Sequence, residues 1–228
     1  MIKVKIPAFK YKEEIVLKDI DIEFEIGQTY GIIGLNGAGK TTFFNLLSGF
    51  MKDQGCSITN NGQPIPKKEI SHIDTDPYFF RNLTAREFLS VFKSANVQYN
   101  EQKLSELLKL DLDKLIEEYS TGMKKKLLLL SQVKQDKKIY ILDEPFNGLD
   151  LETNKILDIM IKLLNKRGKT VFVSSHILEP LFSVCHSISF LKNKCIFKTY
   201  QQEKYNEIED ELFGDFSRNV EKELSGIL

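Results

Sequence analysis

Apolar positions along this chain change period several times, and each change predicts a different element. Over residues 1–30 apolar and polar side chains alternate in short runs. Met1-Ile2-Lys3-Val4-Lys5 reads as a strand, and Ile15-Val16-Leu17 and Ile20-Asp21-Ile22-Glu23-Phe24 read as half-buried antiparallel strands. Gly27 marks a turn, after which Thr29-Tyr30-Gly31-Ile32-Ile33 is apolar without alternation, as a strand covered on both faces is. The run from Thr41 to Phe50 predicts a helix. A second β-like stretch, Cys56 to Ile65, centres on Asn61-Gly62, a dipeptide suited to tight hairpin turns. These pieces predict a small antiparallel sheet beside a buried strand.

From Thr84 to about Gln132 the period becomes helical. Thr84-Ala85-Arg86-Glu87 is a capping box ahead of Phe88, Leu89 and Phe92, and Leu104, Leu107, Leu108, Leu115 and Ile116 fall near helical spacing. A leucine-lined helical subdomain follows, within which Lys124-Lys125-Lys126 reads as the solvated start of a helix. Beyond it, strands and helices alternate. Ile139-Tyr140-Ile141-Leu142 and Thr170-Val171-Phe172-Val173 are buried strands. Leu151 to Arg167 is an amphipathic helix with Ile156, Leu157, Met160, Ile161 and Leu164 inward, ended by Gly168. Ile188 to Leu191 is a further strand, with a turn at Asn193. Such alternation implies an α/β fold whose parallel sheet is covered by helices. The tail from Gln201 carries eight Asp or Glu against three Lys or Arg, and reads as a surface helix or a frayed end.

Composition narrows this picture only slightly. A length of 228 residues suits one large domain or one domain with subdomains, able to bury a core without disulfides or metals. The 32 basic and 32 acidic side chains cancel, so no global field recruits nucleic acid, and none is expected as a partner. Cys56, Cys185 and Cys195 are odd in number and scattered, which argues against a disulfide framework or a zinc site and fits a reducing compartment. No stretch reads as a signal peptide or as a span of 18 apolar residues, so a membrane role would need a partner with its own spanning helices.

The candidate chemistry begins at Gly34-Leu35-Asn36-Gly37-Ala38-Gly39-Lys40-Thr41-Thr42. This fits G-x-x-x-x-G-K-[ST], between a predicted strand and a predicted helix. A glycine-rich turn there gathers backbone N–H groups beside a helix N-terminus, and phosphate is the natural occupant. Lys40 would reach the outer phosphates and the Thr41 hydroxyl would hold Mg²⁺. The motif leaves open which nucleotide binds. Asp143 and Glu144 end the apolar strand from Ile139, at the sheet edge where α/β ligands sit. Asp143 is then placed to reach Mg²⁺ and Glu144 to polarise a water in line with the γ-phosphate, successive strand residues pointing apart. Ser174-Ser175-His176 follows the strand Thr170–Val173, which brings His176 to the same edge.

Together these residues resemble the ATP-binding cassette family, the nucleotide-binding subunits of ABC transporters, over about residues 3–200. Tyr119-Ser120-Thr121-Gly122-Met123 stands where the family has its signature sequence. Asn147-Gly148-Leu149-Asp150 matches the loop after the catalytic Glu, and His176 matches the switch histidine. The resemblance implies a P-loop NTPase with a RecA-like parallel sheet core, a small antiparallel β subdomain and an α-helical subdomain at about 77–132. Residues 1–200 would form the nucleotide-binding domain and 201–228 an acidic C-terminal tail. It implies ATP and Mg²⁺ as ligands, Glu144, His176 and Lys40 as catalytic residues, and Thr41 and Asp143 at the metal. ATP contacts would come from Gly34, Asn36, Gly37, Ala38, Gly39, Lys40, Thr41 and Thr42. Ser120 and Gly122 of one subunit would cap the γ-phosphate held by the other in a homodimer or heterodimer, with Asp150 communicating across the interface. Tyr11, with Phe9 as the alternative, matches the aromatic that stacks on adenine. The implied activity is ATP hydrolysis driving a separate transmembrane permease subunit, with the chain cytoplasmic and peripheral on the inner face of the cell membrane.

Two departures from the family pattern matter. Tyr119, Thr121 and Met123 replace three of five residues in Leu-Ser-Gly-Gly-Gln, while Ser120 and Gly122 remain; Tyr-Ser-x-Gly-Met resembles the form in many exporter-type ATPases. The family's Gln between P-loop and signature aligns with Thr75, flanked by Asp74 and Asp76, and a shorter side chain there implies altered coupling. The alternative readings are an ABC ATPase acting on ribosomes or nucleic acid without a membrane partner, and a different P-loop class such as a GTPase or a small-molecule kinase. For a GTPase Asn154-Lys155-Ile156-Leu157-Asp158 has one residue too many to read guanine.

Overall fold

The computed structural model describes residues 1–51, 54–73, 78–96 and 98–225. The N-terminal alternation resolves into two strands longer than the separate runs suggest, β1 (Ile2–Tyr11) and β2 (Glu14–Phe24), paired antiparallel from Ile2↔Phe24 to Tyr11↔Glu14. Asp19, at φ +52°, is absorbed within β2, which is why the two apolar runs make one strand. The Asn61-Gly62 hairpin joins β4 (Ser57–Asn60) to β5 (Gln63–Pro64), and β4 adds to the other edge of β1, giving a sheet of order β2-β1-β4-β5.

The second sheet has the order β10-β9-β3-β8-β7-β6. Its centre is β3 (Thr29–Ile33), β8 (Thr170–Ser174) and β7 (Ile139–Leu142), every residue of which is buried, as their unbroken apolar runs require. β6 (Ile70–Ile73) and β9 (Ser187–Lys192) extend it in parallel, and β10 (Cys195–Gln201) closes one edge antiparallel after the turn at Asn193. Strand alternation sorts the core into two faces. Tyr30, Ile32, Ile139, Ile141 and Phe172 pack with Phe43, Phe44 and Leu47 of α1 (Lys40–Leu47) and with Ile2, Val4, Leu17 and Phe24 of the antiparallel sheet. Ile33, Tyr140, Leu142, Val171 and Val173 pack on the opposite side.

That opposite side carries the helices. α2 (Ala85–Ser90) opens on the expected capping box, in which Thr84 and Glu87 exchange side-chain and backbone hydrogen bonds. α3 (Glu101–Leu107) is capped by Asn100, and α4 (Thr121–Gln135) by Ser120. Turns and the 3-10 helix Ile116–Glu118 interrupt the α-helices, so the stretch from Thr84 to Gln132 is less continuous than its leucine spacing implies. These helices have no core of their own. Phe88, Leu89, Leu112 and Ile116 share one cluster with Leu127 and Leu130 of α4 and with the sheet.

α5 (Leu151–Lys166) and α6 (Leu178–Val184) complete the layer, and Gly168 follows α5 at φ +73°. The segment beyond Gln201 is helical as α7 (Glu207–Leu224). Its start is core rather than surface: Ile208 is fully buried, and the Tyr205 hydroxyl donates to the Cys185 carbonyl at 3.1 Å. Among the described residues, Glu207 and Glu211 of α7 pair with Lys198. Cys185 and Cys195 are free thiols. Among the described residues no helix is long and apolar enough to cross a membrane.

Candidate active site

Three parallel strands end at one cleft. β3 stops at Ile33, and Gly34–Gly39 turns the chain into α1. At Gly34 a Cβ would stand 2.6 Å from the Leu191 carbonyl oxygen, so no side chain fits. Gly39 has φ +106°, and a Cβ there would meet Leu17 Cδ2 at 2.8 Å. α1 begins at Gly39 with no side-chain cap. The unpartnered N–H groups of a first turn, with the helix dipole behind them, attract an anion.

The polar side chains converge on this turn. Lys40 Nζ donates to the Gly34 carbonyl at 2.8 Å and lies 3.6 Å from Glu144 Oε1, both side chains being nearly buried. Thr41 Oγ1 donates to Asp143 Oδ2 at 2.6 Å. The hydroxyl of Ser174, the last residue of β8, donates to the other Asp143 oxygen and accepts the Glu144 backbone N–H at 2.8 Å. Glu144 leaves the strand at φ +50°, a conformation that a non-glycine residue adopts only when its surroundings hold it. Its Oε2 accepts from Asn147 Nδ2 at 3.2 Å and from the His176 backbone N–H at 3.3 Å, and lies 3.0 Å from His176 Nδ1.

The resulting cleft, of about 290 Å³, is lined by Val16, Asn36, Gly37, Gly39, Lys40, Thr41, Thr42, Asp143 and Glu144. A second hollow of about 210 Å³ shares Asn36 and is bounded by Gly34, Leu35, Ser175, His176, Leu178 and Leu212. Ala38 closes the turn, donating its N–H to the Leu35 carbonyl at 3.1 Å. The P-loop residues, Asp143, Glu144 and His176 are thus brought together. Thr41 and Asp143 offer two hard oxygen atoms beside a cationic anion cradle, a donor set that suits Mg²⁺.

The remaining sequence candidates lie apart from these linings. Ser120 and Gly122 stand at the N-terminus of α4, where Ser120 Oγ accepts the Met123 N–H at 3.2 Å. Asp150 caps α5 through the Thr153 N–H at 2.7 Å, and that bond, with Lys126 3.4 Å away, holds its carboxyl down at about 2. Tyr11 is exposed, with its hydroxyl on Met51 Sδ and its ring edge-on to Phe9 at 5.4 Å. Phe9 is buried in the core and has no face to offer a base. Asp74, Thr75 and Asp76 lie outside the described residues. Asn154–Asp158 is interior to α5.

Three contributors escape the pattern reading. Val16 is a half-buried strand residue by pattern, but its carbonyl lies 3.3 Å from the Cβ position of Gly39, which brings it to the cleft wall. Ser174 is one hydroxyl at a strand end, and only the parallel register of β7 with β8 sets it against Asp143. The largest departure is Lys124–Lys126, which is not a solvated face: Lys126 is buried beside Asp150. Lys125 is half-buried, its Nζ donating to the carbonyls of Glu144 at 3.0 Å and Asn147 at 2.7 Å. Burial pulls the Lys125 pKa below the usual lysine value, against the raising effect of Glu144 and Asp143.

Comparison with known proteins agrees with this geometry. The chain is 33% identical over 190 residues to the ABC transporter ATP-binding protein sll0415 of Synechocystis sp., covering 77% of this chain and 53% of that protein's length. It is 28% identical to the ABC transporter ATP-binding protein AlbC of Bacillus subtilis, over 89% of this chain and 92% of AlbC. With the Nod factor export ATP-binding protein I of Cupriavidus pinatubonensis it shares 28% identity over 78% of this chain and 59% of the relative. Among solved structures, an ATP-binding subunit of an ABC transporter superposes with a TM-score of 0.80 at 25% identity, covering 95% and 93% of the two chains. The cassette MJ0796, solved as a dimer bound to ADP and Pi, shares the fold with a TM-score of 0.76 at 20% identity, covering 89% of this chain and 99% of that one. The family model described as ABC transporter matches residues 17–147, a span that includes the P-loop, the α4 N-terminus and the Asp143-Glu144 strand end. By that match, and by the cleft those segments build, the chain belongs to the ABC transporter family.

Proposed function

We propose that this chain binds and hydrolyses ATP, pairs with a second copy around the nucleotide, and drives a separate membrane subunit, as part of an exporter. One observation carries the proposal: an uncapped helix N-terminus, Lys40, the Thr41–Asp143 pair and Glu144 face one cleft, and Glu144 is joined there by His176 from the adjoining hollow.

The roles follow from chemistry. Gly34–Thr42 holds the phosphate chain through backbone N–H groups, and Lys40 exchanges its bond to Gly34 for the outer phosphates. Thr41 and Asp143 would hold Mg²⁺, which when bound neutralises phosphate charge. Glu144, kept on His176 and Asn147, orients the attacking water and takes its proton. The water oxygen bonds to the γ-phosphorus, the bond to the β,γ-bridging oxygen breaks, and ADP leaves with that electron pair. His176 keeps the Glu144 carboxylate aimed and reaches toward the γ-phosphate. Tyr11 stacks on the adenine. Ser120 and Gly122, at the capped start of the 15-residue α4, close the site of the partner copy.

Two features support a membrane partner. Aromatic side chains of Phe50, beside His72 of β6, and of Tyr78 and Phe80, edge-on to each other, stand exposed, as apolar contact surfaces do. Relatives are named as transporter ATP-binding proteins, and one as an export protein. Export also agrees with the Tyr119–Met123 form of the signature.

Steady-state phosphate release tests the chemistry. The wild-type chain is expected to turn over Mg-ATP, and Glu144→Gln to lower kcat by about 100-fold or more, the usual worth of a general base. Full turnover by Glu144→Gln would refute the assignment of the base.

A further inference from the structure

The first turns of α4 grip one loop of their own subunit. Gly122, Lys125 and Lys126 stand at i, i+3 and i+4, and so share one helix side. A Cβ at Gly122 would lie 3.0 Å from the Gly148 carbonyl oxygen. Lys125 Nζ donates to Asn147 O at 2.7 Å and Glu144 O at 3.0 Å, and Lys126 Nζ lies 3.4 Å from Asp150 Oδ2. The loop Glu144–Asp150 is thereby held at its start, middle and end by one helix.

The start of that loop needs holding. Glu144 is at φ +50° immediately before Pro145, where the backbone is strained and the following ring narrows the alternatives. Its carbonyl also accepts the Asn147 N–H, at the longer distance of 3.3 Å. A half-buried ammonium with two short backbone acceptors forms charge-assisted bonds stronger than neutral ones. A lysine on a helix surface would keep its ammonium in water; this one has traded water for the backbone on which the Glu144 side chain is mounted.

We propose that Lys125 is a positioning residue, which fixes the backbone at Glu144 and Asn147 and couples the Ser120–Gly122 end of α4 to the Glu144 carboxylate. A phosphate engaged by that helix end pulls on α4, and Lys125 transmits the displacement to the carboxylate of the same subunit. This rests on the reading of Glu144 as general base, and deepens it.

The test uses the full chain and four proteins: wild type, Lys125→Met, Lys125→Gln and Lys125→Met combined with Glu144→Gln. Methionine keeps the apolar stem and removes the donor; glutamine retains a donor. Lys125→Met is expected to lower kcat roughly 10–100-fold, the cost of a small misplacement, with KM and nucleotide affinity within about twofold. Lys125→Gln should recover at least part of the lost kcat. In the Glu144→Gln background Lys125→Met should cost less than about twofold more, because the two residues act as one unit. Amide exchange at residues 146–150 should rise in Lys125→Met while β3, β7 and β8 stay protected. A kcat within twofold of wild type, fully multiplicative losses, or exchange that rises uniformly over the chain would each overturn the proposal. If Glu144→Gln alone retains turnover, the general-base reading fails separately, and local exchange at 146–150 still decides whether Lys125 clamps the loop.

Discussion

Asp143 and Glu144 are sequence neighbours with different surroundings, and backbone geometry separates them. Asp143 still follows the strand, so its carboxylate meets Thr41 and Ser174; Glu144 turns out at φ +50° and meets Lys40, Asn147 and His176 instead. A third carboxylate, Asp150, is exposed and caps α5, and its pKa is held at about 2 first by the Thr153 N–H and then by Lys126. A depressed folded-state pKa contributes stability above the unfolded value near 4, and that contribution is lost as pH falls through the folded value. Asp150→Asn keeps a capping oxygen and removes the charge. Its unfolding midpoint in urea should therefore fall less steeply than that of the wild type between about pH 4 and pH 2. Superimposable slopes in this window would show that Asp150 draws nothing from its ionised form.

At the scale of elements, the two sheets are tied by aromatic packing. Phe172 of β8 is fully buried, edge-on to Phe24 of β2 at 5.0 Å and stacked on Tyr30 of β3 at 5.6 Å. Phe172→Ala should cost about 3–5 kcal/mol by equilibrium denaturation, the range for emptying a large core site. A loss under about 1 kcal/mol would mean that this interface repacks freely. The apolar runs of β3, β7 and β8 were legible in the sequence because strands covered on both faces carry no polar positions to confuse the period. The P-loop and the Asp143-Glu144 strand end were legible because their chemistry demands fixed residue types at fixed spacing. α4 was not. Its Lys124–Lys126 run looks like solvated charge, since nothing local signals that backbone carbonyls of a loop nineteen residues downstream will face it. α7 was half legible: its charges give a surface helix, while the burial of Tyr205 ahead of it depends on the end of α6, where Phe182 stacks on the Tyr205 ring and the Cys185 carbonyl accepts its hydroxyl.

The whole molecule is a mostly parallel sheet with an antiparallel sheet and α1 on one face and helices on the other, and on the function proposed above one copy gathers only part of a reaction centre. The P-loop, Asp143, Glu144 and His176 meet at the strand ends, whereas Ser120, Gly122 and Asp150 lie outside that cleft. A second copy, turned so that its α4 N-terminus faces the first P-loop, would complete two such centres at once. The decisive measurement is the mass of the Glu144→Gln chain in solution, by sedimentation or light scattering, without nucleotide and with saturating Mg-ATP. The account predicts one chain without ATP and two with it, reverting when Lys40→Ala is added. A mass that stays at one chain, with ATP binding verified in the same sample, would contradict the shared site.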